Sequence, residues 1–302
     1  MAKIKLTTVK NKESNIFQNL FFRYFNDGVG RSAAALAYYL IFSFFPLLIF
    51  ISVLIGSLNL PPLSADSLKN IIPEDIVLLI NSYLEHVTSI QSSHLLIFGI
   101  FFTIYFVSRA VDCLINAINV AYRTKDVRIF PKHQIFVLLY TLFLLIVIVI
   151  SLTLLTVGRS VLTYLSRFLP IAENFITIWS FLRFLILAVM LFFALASLYC
   201  VVPQHRYSLR QVLPGTLTAL GAWLIFSVGF AFYVENMAQY SVIYGSIGAI
   251  IVLLLWLYFS AVTLIMGAHM NQIVLEKKAA KKQPAKTTKK ENRKEPAESI
   301  HK

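Results

Sequence analysis

Ile135–Gly158 reads IFVLLYTLFLLIVIVISLTLLTVG, twenty-four residues without one charged side chain. As an α-helix rising ~1.5 Å per residue it extends about 36 Å, and ~20 apolar residues suffice to cross the ~30 Å hydrocarbon core of a bilayer. Apolar side chains surround it on all sides, which marks a helix with lipid on its outer face. A β-barrel strand alternates over about ten residues, and this run does not alternate.

Five further blocks share this character, giving an all-α polytopic membrane protein with six transmembrane helices over about 33–58, 94–112, 135–158, 179–202, 213–235 and 244–271. The helix of the second is expected to continue through SRAVDCLINAINVAY. Composition agrees: of 302 residues, 58% are hydrophobic and 14% charged, with a mean hydropathy of +0.74, against about 25% charged in soluble domains. The domain layout read from this is an N-terminal segment 1–32, a membrane domain 33–275 with an outer segment 59–93, and a basic tail 276–302.

Lys and Arg set the orientation, because cytoplasmic loops accumulate them. The N-terminus, the 2–3 and 4–5 loops and the tail together hold 23 basic residues, and the opposite side holds three. Both termini are therefore expected in the cytoplasm. The formal net charge of +13 is largely this topology signal rather than a sign of specific nucleic-acid binding. The tail, EKKAAKKQPAKTTKKENRKEPAESIHK, is polar and of low complexity, so it is expected to be disordered. It would either be simply solvated or rest on anionic lipid headgroups. Cys113 and Cys200 fall near the cytoplasmic side, where a disulfide is not expected. The polar first 15 residues do not resemble a cleaved signal peptide.

Two flanking segments read as amphipathic helices. SNIFQNLFFRYFNDGVG carries Phe17, Leu20, Phe21, Tyr24 and Phe25 ahead of Gly28 and Gly30. On the outer side, IIPEDIVLLINSYLEHV starts near Pro73 with acids in its first turn, as the helix dipole favours. Its residues Ile76, Leu79, Ile80, Tyr83, Leu84 and Val87 recur at helical spacing. No internal repeat is evident.

Polar groups at membrane depth are costly and are candidates for function. In YFVSRAVDCLINAIN, Arg109 and Asp112 lie three apart, with Asn116 and Asn119 continuing that side. They form either a self-neutralising gate or a pair already solvated at the interface. In SAAALAYYLIFSFFPLL (Ser32–Leu48), small residues permit close helix contact. Pro46 removes a backbone hydrogen bond, and Tyr38, Tyr39 and Ser43 supply hydroxyls. A path through the bundle would draw on Tyr38, Tyr39, Ser43, Pro46, Arg109, Asp112 and Asn116, with Tyr244, His269 and Asn271 from the last span. Gly245/Ala249 and Thr263/Gly267 form small-xxx-small pairs there. No HExxH, GxSxG, Walker A or dinucleotide motif occurs, so neither an enzyme nor a cofactor is expected, and a pump would have no ATPase of its own.

RSAAALAYYLIFSFFPLL, VVPQHRYSLRQVLPGTLTALGAW and YGSIGAIIVLLLWLYFSAVTLIMGAHMNQ resemble the YihY/virulence factor BrkB family over about Phe17–Leu275. The resemblance implies a six-helix inner-membrane protein linked to envelope integrity, with transport suggested. It also implies rejection of an old ribonuclease BN label. The family often ends its last span with Gly-Ala-Glu-Leu-Asn, where this chain has Gly267-Ala268-His269-Met270-Asn271. The expected function is a transporter-like or lipid-handling membrane protein, the alternative a non-transporting envelope scaffold. Expected partners are membrane lipids and an unidentified small-molecule or lipid substrate, with oligomers allowed.

Overall fold

The computed structural model describes residues 15–57, 77–78, 81–82, 93–124, 128, 130–165, 173–237 and 246–291. Seven α-helices account for nearly all of them: α1 (Ile16–Asn26), α2 (Val29–Ser57), α3 (Ser93–Ala121), α4 (Lys132–Leu165), α5 (Glu173–Val201), α6 (Leu209–Met237) and α7 (Ser246–Glu291). No strand occurs among the described residues. Five helices carry stretches long and apolar enough to cross a membrane: Val29–Phe50, Ile97–Ala121, Lys132–Ser151, Leu209–Val234 and Gly248–Ala280. In α5 the corresponding stretch, Leu185–Val201, is shorter.

The helices α2, α3, α6 and α7 pack most extensively, and α4 and α5 flank them. The α4 stretch is the least enclosed, with 22% of its residues buried inside the protein, as its all-round apolar sequence requires. Small residues set the tightest contacts. Ala33 and Ala37 of α2 are buried with Ala110, Ala117 and Ala121 of α3 in the main core. Pro46 is buried, and its carbonyl lies against Gly99 of α3. Gly215 and Ala219 of α6 abut Gly267 of α7. A second cluster at the other end joins Leu48, Phe230, Val234, Val252 and Leu253 with Val77. Most of the outer segment, including Ile76, Leu79, Ile80, Tyr83, Leu84 and Val87, lies outside the described residues.

Local signals position the ends. Ser208 and Gln211 form a capping box ahead of α6, the Ser208 N–H donating to Gln211 Oε1 at 2.8 Å. α3 ends in a Schellman turn: the Thr124 N–H donates to Asn119 O (2.9 Å) and the Arg123 N–H to Val120 O (3.1 Å). Arg123 stands at the left-handed position (φ 57°) that glycine usually occupies, which costs an L-residue about 1–2 kcal/mol. Gly28 (φ 66°) makes the turn between α1 and α2.

α6 and α7 are antiparallel, and their register is fixed twice. Trp223 of α6 donates to Ser260 of α7 (3.0 Å), and Trp256 of α7 donates to Ser227 of α6 (3.3 Å). One indole–hydroxyl bond in a membrane interior contributes about 0.6 kcal/mol. Ser227→Ala and Ser260→Ala are each expected to lower the melting temperature in detergent slightly, and the double variant roughly additively. Unchanged melting in all three would show that the bonds carry no stability.

Two expectations change. The first membrane helix begins at Val29 rather than 33, because Gly28 alone makes the turn and the helix resumes at once. Residues 276–291 were expected to be disordered but continue α7 to Glu291. Glu276–Gln283 are all good helix formers, and extending a helix already begun escapes the nucleation cost; the helix then runs on through Pro284, which composition does not favour. Residues 292–302 lie outside the described residues.

Candidate functional site

Two arrangements of polar side chains stand out, one on the flank of the bundle and one buried at its end. The flank carries a groove of about 810 Å³ between α2, α3 and α4, lined by Tyr39, Ile97, Phe101, Ile104 and Tyr105 and closed by Arg109, Ser108 and Gln134. From Ile97 to Arg109 it follows twelve residues of α3, about 18 Å at ~1.5 Å per residue. A smaller apolar pocket of about 270 Å³ between α3 and α4 shares Ile100 and Ile104 with it.

The polar end of the groove is built by one face of α3. Arg109 Nη1 donates to Asp112 Oδ2 at 3.5 Å, and its guanidinium stands 5.7 Å from the Tyr39 ring centre. The other carboxylate oxygen, Oδ1, is held by His133 Nε2 at 2.8 Å and by Asn116 Nδ2 at 3.3 Å. Asp112 is thus anchored mainly by His133 at the start of α4. The Arg109 side chain is 46% exposed, so a cation is presented at one end of an apolar channel open to the side. His133 was missed in the sequence because nothing local ties it to α3. Asn119 does not continue this face. It is buried and accepts from the Thr124 hydroxyl at 3.0 Å.

The second arrangement joins the start of the chain to its last span. Asp27, between α1 and α2, has a side chain only 8% exposed. Its Oδ1 pairs with Arg123 Nη1 at 3.2 Å, and its Oδ2 lies 3.7 Å from His269 Nδ1 on α7. Four residues earlier, Arg23 pairs with Glu276 at 2.6 Å. Neither ring nitrogen of His269, which is 1% exposed, has a hydrogen-bond partner among the described residues. Beside this cluster, Asn271 accepts the Gly215 N–H at 2.6 Å. The Tyr122 hydroxyl lies next to Asn271, and burial raises the Tyr122 pKa, keeping the phenol neutral. The Arg123–Asp27 pair explains why an arginine is kept in a strained left-handed turn: its side chain is needed where its backbone is uncomfortable. The only sequence signal for Asp27 was an acid next to glycine in a mostly basic flank.

The remaining expected path residues separate. Tyr39 lines the groove, whereas Tyr38 is half exposed and packs on Phe42. Ser43 is buried but donates to Leu40 O of its own helix at 2.8 Å. Pro46 is buried against α3, and His269 and Asn271 belong to the terminal cluster. Tyr244 and Gly245 lie outside the described residues. Among the described residues, no three His, Cys, Asp or Glu side chains are grouped to hold a metal.

A family model described as virulence factor BrkB matches residues 20–292, from α1 through α7. The chain belongs to the BrkB family. It is 32% identical over 269 residues to the ribonuclease-like protein YfkH of Bacillus subtilis (strain 168), covering 87% of this chain and 96% of that protein. A UPF0761 membrane protein of Xanthomonas campestris is 43% identical over 79 residues, 26% of this chain and 19% of that one. No solved structure matches. Every residue of the groove and of the Asp27 cluster falls within the BrkB match.

Proposed function

We propose that this BrkB-family protein crosses the bacterial cytoplasmic membrane six times with both termini inside, α5 supplying the sixth crossing, and handles or translocates an amphipathic lipid without a nucleotide motor. The Lys and Arg distribution supports the orientation. The observation that carries the function is the lateral groove: about 18 Å of apolar wall ending at Arg109, open sideways where lipids are. An acyl chain fits the wall, and an anionic headgroup fits the guanidinium. Asp112, fixed by His133, holds Arg109 in place and competes with the headgroup for it. Arg109, Asp112, Tyr39 and Gln134 are the residues on which the function rests.

The test is lipid flip-flop in liposomes holding the purified protein, followed by quenching fluorescent anionic and zwitterionic phospholipids from outside. The wild type is expected to expose inner-leaflet lipid, and Arg109→Ala/Asp112→Ala to slow this about tenfold, the loss expected for one charge-assisted contact. Rates equal to those of protein-free liposomes, or unchanged in the variant, would sink the lipid reading. A second reading, an envelope scaffold without transport, draws on the extension of α7 to Glu291. It predicts that deleting residues 281–302 impairs the cell envelope more than altering Arg109 does.

A further inference from the structure

α1 turns its one charge inward and its phenylalanines outward. Its inward side, facing α7 and α2, carries Ile16, Asn19, Leu20, Arg23 and Tyr24, with Asp27 just beyond its end. Its outward side carries Phe17, Phe21, Phe22 and Phe25, which are 84%, 68%, 57% and 64% exposed. Phe17, Phe21 and Phe25 follow one another every four residues, so they form a single stripe. Gln18 and Asn26 also face outward, near the two ends. A helix on the surface of a water-soluble protein shows the reverse pattern, apolar residues inward and charge outward. Four adjacent exposed phenylalanines on eleven residues imply an apolar medium outside.

The depth of α1 says which medium. Consecutive residues tie it to widely separated points of α7: Arg23 to Glu276 at 2.6 Å, and the Tyr24 hydroxyl to that of Tyr258 at 3.1 Å. These partners are 18 residues apart, about 27 Å along the helix, so the C-terminal part of α1 meets α7 between them. Asp27 meets α7 at His269, also in that interval. The interval falls inside the apolar stretch Gly248–Ala280. α1 is too short to span a membrane, yet it meets α7 within the C-terminal two-thirds of a stretch that can, and it joins the span Val29–Phe50 through Asp27 and Gly28 alone.

We infer that α1 is an in-plane membrane anchor whose phenylalanine stripe is embedded in the acyl chains of the leaflet at the polar end of the bundle. Its occupant is the lipid surface. Tyr38 and Phe42 of α2 and Phe259 of α7 are exposed as well, so the neighbouring helices also present aromatic side chains outward. The Arg23–Glu276 and Asp27–Arg123 pairs hold the polar side against the protein, so burying the phenylalanines leaves no charge of α1 in hydrocarbon. This anchoring does not depend on lipid movement along the groove.

The test places a tryptophan on the stripe of the full-length protein in phosphatidylcholine/phosphatidylglycerol vesicles, with the wild-type emission subtracted. In Phe21→Trp the added emission is expected to be blue-shifted and to lose about half its intensity when the acyl chains carry bromine, as a depth of ~5–10 Å below the headgroups requires. Aqueous iodide is expected to leave it unchanged. Phe17→Trp, at the most exposed position, repeats the measurement should Phe21→Trp fail to fold. Tyr24→Trp, turned toward α7, is the internal control and is expected to escape both quenchers. Quenching of the stripe by iodide would show that it faces water. Escape of Phe21→Trp and Phe17→Trp from both quenchers would show that protein, such as a second copy of the chain, covers it. Either result overturns the anchor.

Discussion

Gly215→Ala is expected to prevent stable assembly of the bundle, although it adds a single methyl group. A Cβ at residue 215 would overlap the Gly267 carbonyl and the Asn271 side chain. The first obstacle is backbone and cannot swing away. The second is the carboxamide that accepts the Gly215 N–H at 2.6 Å. Overpacking alone costs about 1–3 kcal/mol or more, and loss of the buried hydrogen bond adds about 1–3 kcal/mol. The α6–α7 contact is thus expected to open, with loss of the monodisperse species in detergent. Gly221→Ala and Gly229→Ala lie on the same helix, and a Cβ at either position meets nothing within 4 Å. Both should behave as wild type in thermal melts. Equal melting of the Gly215 and Gly221 variants would show that the close approach of α6 to α7 is not needed.

The second large effect is expected at Asp27. Asp27→Arg places a third cation beside Arg23 and Arg123, in a site where the original side chain is 8% exposed. Leaving a buried charge uncompensated costs about 3–5 kcal/mol. Arg123 is 55% exposed and can turn partly into solvent, which lowers the expectation to roughly 2–4 kcal/mol. The reversed pair, Asp27→Arg with Arg123→Glu, should recover about half of the loss, because the attraction is restored while His269 and Arg23 keep their places. The melting temperatures of the two single variants and the double variant in one detergent form the cycle that decides this. A double variant no more stable than Asp27→Arg would mean that the pair is incidental.

The architecture was legible because membrane helices announce themselves in consecutive residues. The run Ile135–Gly158 needed no partner to be read, and the alanines at Ala33 and Ala37 pointed correctly to a close contact. Gly267 was also legible, as a small residue on the last span. Its counterpart Gly215 was not singled out, since spacing within one helix does not say which helix lies opposite. The Arg109–Asp112 pair was visible at i,i+3, but its setting was not. Whether that face meets the bundle interior or its flank depends on how α4 packs against α3, and His133 enters only through that packing. The Asp27 cluster was the least legible feature. Arg23, Asp27 and Arg123 read as ordinary flanking charges, and their convergence on His269 is a tertiary event across most of the chain. The continuation of α7 past residue 276 was hidden by a polar composition equally typical of unstructured tails.

The cluster also has a bearing on the order in which the protein is made. Asp27 emerges from the ribosome ahead of α2, Arg123 follows after α2 and α3, and His269 and Asn271 arrive only with α7. Until α7 is threaded, the Gly215 N–H lacks its carboxamide acceptor, Arg23 lacks Glu276, and the inward side of α1 has only α2 to rest on. α1 and α7 are therefore each other's fastening, and the bundle closes like a clasp once α7 has joined it.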